Sequence, residues 1–239
     1  MTASNGSASP SSGSRPTLTI IMPVYNEGAT LRDALDVLSR SDVGTDFEVL
    51  LVDDGSDDGA VDAISDEAVR VLRHDRNRGK GAAIRTGIEA ARGSLITVLD
   101  ADLEYNPADY RDMIHAIEEK HATVVYGTRS FGSHSAFSFW YVLGNRFLGF
   151  WASFLFNTWL SDIETCFKMA PTEVWRSLEL TSNGFGIEAE ATAKFMKRGH
   201  RIYEVPITYT ARSRAEGKKL NWTDGLIAFA LLAWIRIRG

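Results

Sequence analysis

Cysteine is all but missing: Cys166 is the only one in 239 residues. An intramolecular disulfide is excluded, as is a cysteine-rich metal site, and the usage suits a reducing compartment. Long apolar runs are missing too. No stretch supplies the roughly 20 apolar residues of a simple transmembrane helix, and the nearest approaches, Phe147–Leu160 and Leu226–Ile235, are short. Residues 1–16 lack the apolar centre of a signal peptide. Rich in Ser, Gly, Ala and Asn, they read as a disordered tail. Walker and kinase signatures are absent, which argues against an ATPase or kinase. No G-x-G-x-x-G follows the first apolar run, which disfavours a dinucleotide oxidoreductase. There is no internal repeat.

What is present is an ordinary globular composition, 44% hydrophobic and 24% charged, long enough for one large α/β domain or a domain with an appendage. The net charge is −5 but uneven: from Lys194 onward ten Lys or Arg face three Asp or Glu. A basic C-terminal portion suits phosphate, nucleic acid or a membrane surface; the alternative is a solvated face. Because the basic residues are not set among stacking aromatics on a nucleic-acid motif, no nucleic-acid partner is expected.

The first half alternates strand and helix signals. Apolar runs at Leu18–Met22, Glu48–Val52, Val69–Leu72, Leu95–Leu99 and Thr123–Tyr126 read as strands. Between them, Leu31, Leu35 and Leu38 recur at helical spacing, Lys80–Arg92 is Ala-rich and stops at Gly93, and Pro107 opens a helix to about Lys120. This order predicts an α/β fold with a mostly parallel sheet covered by helices on both faces. Such sheets bind ligands beyond the carboxyl ends of their strands, which is where Asn26, Glu27, Asp53, Asp54, Arg73–Lys80, Asp100 and Asp102 fall. The second half differs. Phe137–Leu160 is aromatic-rich with Arg146 its one charge, Ile187–Arg198 and Trp222–Ile237 read as helices, and short strands are expected at Arg201–Val205 and Ile207–Tyr209. The expected division is a tail (1–16), a nucleotide-binding half (17–130) and an acceptor-binding half with a basic loop and interfacial helices (131–239).

Three clusters can carry chemistry. Asp100-Ala101-Asp102 puts two carboxylates at a strand end, with Glu104 two residues on; oxygen donors of this kind suit Mg²⁺ or Mn²⁺ bridged to substrate phosphates, against solvated turn acids as the plain alternative. Asp53–Gly59 is an acidic loop whose carboxylates would repel one another without a cation or donor groups. Asn77-Arg78-Gly79-Lys80-Gly81 resembles an anion-binding turn, in which free helix N–H groups and a lysine favour a phosphate. Together they suggest a nucleoside diphosphate held by acids through a metal.

These segments, with Pro23-Val-Tyr-Asn-Glu27 ahead of them, resemble the family 2 glycosyltransferases of the GT-A fold. Glu164–Lys168, Asn183–Glu188, Tyr203–Pro206 and Arg212–Lys219 resemble more narrowly the dolichol-phosphate mannose synthase group, which glycosylates polyprenyl phosphates. The group often has Thr-Gly where this chain has Thr165-Cys166, which leaves the packing around Phe167 to be seen. The resemblance implies a donor pocket of Pro23, Tyr25, Glu27, Asp53, Asp54, Lys80, Asp100, Ala101 and Asp102. It implies a metal on Asp100, Asp102 and Glu104, and acceptor and donor phosphates met by Arg129, Arg212, Arg214, Lys218 and Lys219. Asp100, Asp102, Arg212 and Arg214 would be the catalytic set.

The expected reaction is inverting transfer of a hexose, mannose before glucose, from a nucleotide sugar such as GDP-mannose. A phosphate monoester acceptor is already anionic, its second pKa being about 6, so it needs no general base and catalysis reduces to positioning two anions. The rival reading is a family 2 enzyme with a soluble or glycan acceptor, which would need such a base; a silent scaffold subunit is a third. A prenyl acceptor requires a membrane surface, so Phe147–Leu160, apolar nearly all round, and the Leu226–Ile237 stretch are expected to lie in the interface of its cytoplasmic face rather than in the core. A membrane-embedded protein is a further candidate partner. Glu188 and Glu190, at a helix start, are expected to act as a structural cap, with a sugar contact as the other reading.

Overall fold

A computed structural model describes residues 17–64, 66, 68–130, 139–211 and 222–238. The tail and the Arg212–Lys219 segment lie outside the described residues.

Strands β1 (Leu18–Val24), β2 (Phe47–Asp53), β3 (Val69–Arg73), β4 (Leu95–Val98) and β5 (Val124–Thr128) form where the apolar runs stand. Helices α1 (Leu31–Arg40), α2 (Lys80–Ala90) and α3 (Tyr110–Lys120, behind a 3₁₀ turn at Pro107–Asp109) connect them. The second half adds α4 (Phe139–Phe156), β6 (Lys168–Pro171), α5 (Thr172–Ser177), α6 (Ile187–Lys197), β7 (Ile202–Pro206) and α7 (Trp222–Arg238). The seven strands make one sheet in the order β3-β2-β1-β4-β6-β5-β7. All neighbouring pairs are parallel except those of β6, which is antiparallel to β4 and β5. Leu18 to Met22 are all buried. Successive side chains point to opposite faces, so both faces of β1 are covered.

Two expectations are corrected. Ile207–Tyr209 is no strand: Pro206 ends β7, having no N–H to continue the ladder, and Tyr209 keeps a single bridge to Tyr105. The aromatic helix spans Phe139–Phe156, earlier than the Phe147–Leu160 stretch, and stops where Asn157 turns into a left-handed conformation at φ 50°. The Thr-Cys variation leaves a tight core: Phe167 stacks on Tyr105 (4.7 Å) and Tyr110 (4.3 Å), and Cys166 is buried beside it.

A second, smaller core joins α4, α6 and α7 through Leu148, Ala152, Ala189, Ala193, Ala228 and Leu232. Trp151 stacks on Phe229 at 4.5 Å and donates its indole N–H to the Phe229 carbonyl. The outward face of this pair is apolar. Leu143, Phe147, Phe150 and Phe154 recur at helical spacing and are exposed, Phe154 by 70%, and Leu226, Ile227, Trp234 and Ile237 are exposed on α7. Among the described residues no helix is long and apolar enough to cross a membrane.

Candidate active site

The carboxyl ends of β1, β2 and β4 open onto a cavity of about 300 Å³. It is lined by Pro23, Tyr25, Glu27, Asp54, Lys80, Asp100, Ala101, Asp102, Glu104 and Arg129 from the expected set. Asp53 is buried beside it and spends an oxygen on the Ser56 N–H (2.9 Å), closing the turn after β2.

The acidic loop finds its donors inside the protein. Asp54 takes the Gly79 N–H (2.7 Å) and the Arg78 N–H (3.0 Å), and pairs with His74 Nδ1 at 2.6 Å. Asp57 exchanges hydrogen bonds with Asn26, and Asp58 accepts from the Gly28 N–H (2.8 Å), so these acids pin the loop after β1. The turn before α2 is therefore not an array of free N–H groups awaiting a phosphate: Asp54 is its anion, and Ala82 N–H donates to the Asn183 carbonyl (3.2 Å). Glycine is required here. Gly79 sits at φ 97°, and a Cβ on Gly79 or Gly81 would run into the carbonyls of Asn183 or Ser182. The 182–183 backbone thus seats directly on α2, bringing Phe185 and Glu188 to the cavity.

After β4 the chain turns at Asp100–Asp102, and Leu103 adopts a left-handed φ of 61°, an uncommon conformation for a branched residue that folds the loop back on itself. Glu104 N–H then donates to Asp102 Oδ1 (3.1 Å). Asp100 and Asp102 are part-exposed in the cavity wall. Glu104 is buried and accepts from the Tyr209 hydroxyl. Among the described residues no three acids, histidines or cysteines gather as a metal site, so Glu104 does not join the other two as a ready-made triad. Two oxygen-donor carboxylates at the mouth of a cavity do fit a divalent ion that draws its remaining ligands from a diphosphate and water.

Lys80 Nζ donates to Asp100 Oδ2 at 2.8 Å and stands 3.6 Å from Glu188 Oε1. Burial works against its charge, but Asp100 and Glu188 outweigh burial and hold the ammonium well above the ordinary lysine range. Glu188 in turn takes Lys168 Nζ on Oε2 at 2.5 Å. Lys168 is fully buried and also donates to the carbonyls of Ile163 (3.0 Å) and Thr165. Glu190, read as a cap, holds the loop before its helix instead: it accepts from the N–H groups of Thr181 and Ser182.

Arg129, expected at the acceptor phosphate, lines the cavity while its guanidinium forks onto Asp162 at 2.6 and 2.8 Å. Asp162 was not singled out in the sequence, and Glu164, which opens one of the matching segments, was given no role there; it also lines the cavity. Burial pushes the Glu164 carboxyl up to about 7, and Glu188 and Asp162 add to this against Lys168 and Arg129. A carboxyl raised in the fold favours folding fully below its unfolded value of 4.5, and that contribution disappears as pH rises through 7. Urea titrations at pH 5 and pH 8 should therefore show Glu164→Gln gaining on the wild type with pH, by up to about 3 kcal/mol. An unchanged difference would remove the shift.

Arg212, Arg214, Lys218 and Lys219 lie outside the described residues. The segment leading to them is fixed: Tyr209 bridges Tyr105, and Thr210 N–H donates to the Glu104 carbonyl (2.8 Å).

The family model described as "Glycosyl transferase family 2" matches residues 19–175. The chain is similar to the glycosyltransferase AglJ of Haloferax volcanii, 29% identical over 212 residues that cover 88% of this chain and 69% of that protein. It is also similar to the dolichyl-phosphate beta-glucosyltransferase of Dictyostelium discoideum, 32% identical over 130 residues, 47% of this chain and only 40% of that enzyme. Among solved structures it resembles glucosyl-3-phosphoglycerate synthase from Mycobacterium tuberculosis in complex with Mn²⁺, UDP and glucosyl-3-phosphoglycerate. The TM-score is 0.70 at 17% identity, over 92% of this chain and 80% of that one.

Proposed function

The chain belongs to glycosyl transferase family 2, and from that premise we propose that it moves a hexose from a nucleotide sugar onto a polyprenyl phosphate, with inversion. The observation that carries the reading is the cavity at the switch between β1 and β4, where nucleoside-side residues (Pro23, Tyr25, Glu27, Asp54) meet Asp100 and Asp102. Asp53 and Asp54 shape the nucleoside end through the turns they hold. Asp100 and Asp102 would hold a divalent ion, Mg²⁺ or Mn²⁺, which offsets the charge that develops on the departing diphosphate. Lys80, charged and poised between Asp100 and Glu188, brings a cation to the same place. Ala101, buried between the two aspartates, lets the backbone run close to the donor.

The acceptor end is basic. Thr210 is tied to Glu104, so Arg212 and Arg214 follow within two to four residues of the cavity wall, with Lys218 and Lys219 behind them. These cations and Arg129 would set the acceptor phosphate against the donor. The phosphate is its own nucleophile, so no general base is required of the chain. The apolar outer face of α4 and α7 supports a peripheral or monotopic seat on a membrane, where a prenyl chain is found. The Dictyostelium relative is named for a dolichyl-phosphate acceptor, which favours the lipid over a soluble glycan.

Purified protein with Mg²⁺ or Mn²⁺, polyprenyl phosphate and radiolabelled GDP-mannose or UDP-glucose should carry label into the organic phase from one donor, mannose being the preferred sugar. Label that reaches only water-soluble glycans would replace the lipid acceptor with the rival one.

A further inference from the structure

Four buried side-chain oxygens among the described residues accept no hydrogen bond: Thr97 Oγ1, Asn145 Oδ1, Glu164 Oε1 and Glu188 Oε1. Only the two glutamates line the cavity. An unmade hydrogen bond at a buried acceptor costs about 1–3 kcal/mol, and such groups are rare enough in folded proteins that each needs an explanation. Both oxygens belong to carboxyl groups and, once ionised, can only accept. In the ionised state both are completed by a donor such as a hydroxyl, and a diphosphate oxygen, itself an acceptor, does not supply one.

The sheet says which part of a nucleotide sugar would lie there. Across the strand order, the loops after β2 and β1 come first, Asp100 and Asp102 after β4 come next, and β6 and β5 follow. Because β6 runs antiparallel to β4, the residues that precede it stand at the same edge as those that follow β4. Glu164 lies four residues before β6, on the far side of Asp100 from the nucleoside end. Glu188 reaches the same region from the first turn of α6, its Oε2 fixed by the buried Lys168 so that Oε1 faces Lys80.

We propose that Glu164, with Glu188, forms a hydroxyl-accepting floor for the transferred sugar, so that the site selects a neutral hexose bearing free hydroxyls on the face laid against it. This rests on reading the cavity as a nucleotide-sugar site and adds the sugar's own contacts. The floor explains why two acids stand side by side in the cavity wall, each with a buried oxygen that accepts no hydrogen bond: hydroxyl donors from the substrate complete them. A sugar deoxygenated on that face leaves an acceptor unpaired, and a uronic acid brings a third carboxylate against two.

Calorimetry without acceptor separates this from the function itself. GDP and UDP, with Mg²⁺, should bind wild type, Glu164→Ala and Glu164→Gln alike. The corresponding nucleotide hexose should lose about tenfold in affinity in Glu164→Ala, the size of one hydrogen bond to a charged group, and less in Glu164→Gln, which keeps an acceptor. Wild type should also discriminate against donors deoxygenated at one of the hexose C3, C4 or C6 positions, and Glu164→Ala should discriminate less. An unchanged ratio of nucleotide hexose to nucleoside diphosphate in Glu164→Ala overturns the floor, as does equal binding of parent and every deoxy donor by wild type. Failure of the lipid to accept sugar, with these ratios as expected, would overturn only the acceptor reading and uphold the floor. Failure of the wild type to bind either nucleoside diphosphate would overturn both.

Discussion

Alanine at Asp100 or Asp102 is expected to lower the rate of sugar transfer on the order of a thousandfold, because the charge that develops on the leaving diphosphate loses its preorganised counterweight. The fold should survive either change. Both side chains are part-exposed at a strand end, where truncation opens no core cavity. Without Asp100, the Lys80 ammonium still has Glu188 Oε1 at 3.6 Å. Mn²⁺ binding followed by electron paramagnetic resonance should weaken in both variants in the presence of nucleoside diphosphate. Chelation of divalent ions should bring the wild type down to the variants' rate and leave the variants where they are. Rates within tenfold of wild type in both variants, at unchanged thermal stability, would take these carboxylates out of the reaction. Asparagine in place of either aspartate sharpens the test, since it keeps the shape and one neutral oxygen while removing the charge.

The placement of these aspartates could be read from the sequence because one rule governs it. In a parallel sheet every strand's carboxyl end faces the same edge, so polar residues that close apolar runs must assemble there. Asp54, Asp100 and Asp102 obey it. What each side chain does at that edge could not be read the same way. The acids of the 53–59 loop looked like ligands in search of donors, yet the loop after β1 and the turn before α2 supply those donors, and nothing local in Asp-Asp-Gly-Ser distinguishes the two uses. The antiparallel β6 was missed since Lys168–Pro171 is four residues long, opens with a lysine and closes with a proline, a pattern with neither strand alternation nor length. The pairing of Arg129 with Asp162 spans 33 residues and depends on where β5 meets the chain before β6. Glu164, though it opens a matching segment, was not placed in the site for the same reason: it enters the cavity wall only because β6 reverses direction. The amphipathic character of α4 was hidden by its own richness. A helix apolar nearly all round shows no stripe in sequence, and only packing decides that Leu148 and Ala152 turn inward while Phe150 and Phe154 stay out.

Glu188→Ala should be the most destabilising single change among the residues of the cavity, by about 3–5 kcal/mol. Its partner Lys168 has no exposed surface. Two backbone carbonyls, of Ile163 and Thr165, share its ammonium, and the Tyr126 ring lies 5.0 Å away, but Glu188 is its one ion-pair partner among the described residues. Carbonyl dipoles alone offset little of the cost of holding a unit charge away from water. Removing the carboxylate therefore strands the charge, which costs more than the pair itself is worth. For a chain of this size the loss corresponds to a fall of roughly 10 °C in Tm. The complementary change, Lys168→Met, leaves Glu188 within 3.6 Å of Lys80 and should cost less. The double variant Lys168→Met/Glu188→Ala removes both charges of this pair and should lose well less than the sum of the two single losses, a coupling that urea titrations can resolve at about 1 kcal/mol or better. Additive losses would mean that the two side chains act separately. A coupled pair would mean that the carboxylate facing the donor is held in place from beneath by a lysine that never meets the substrate.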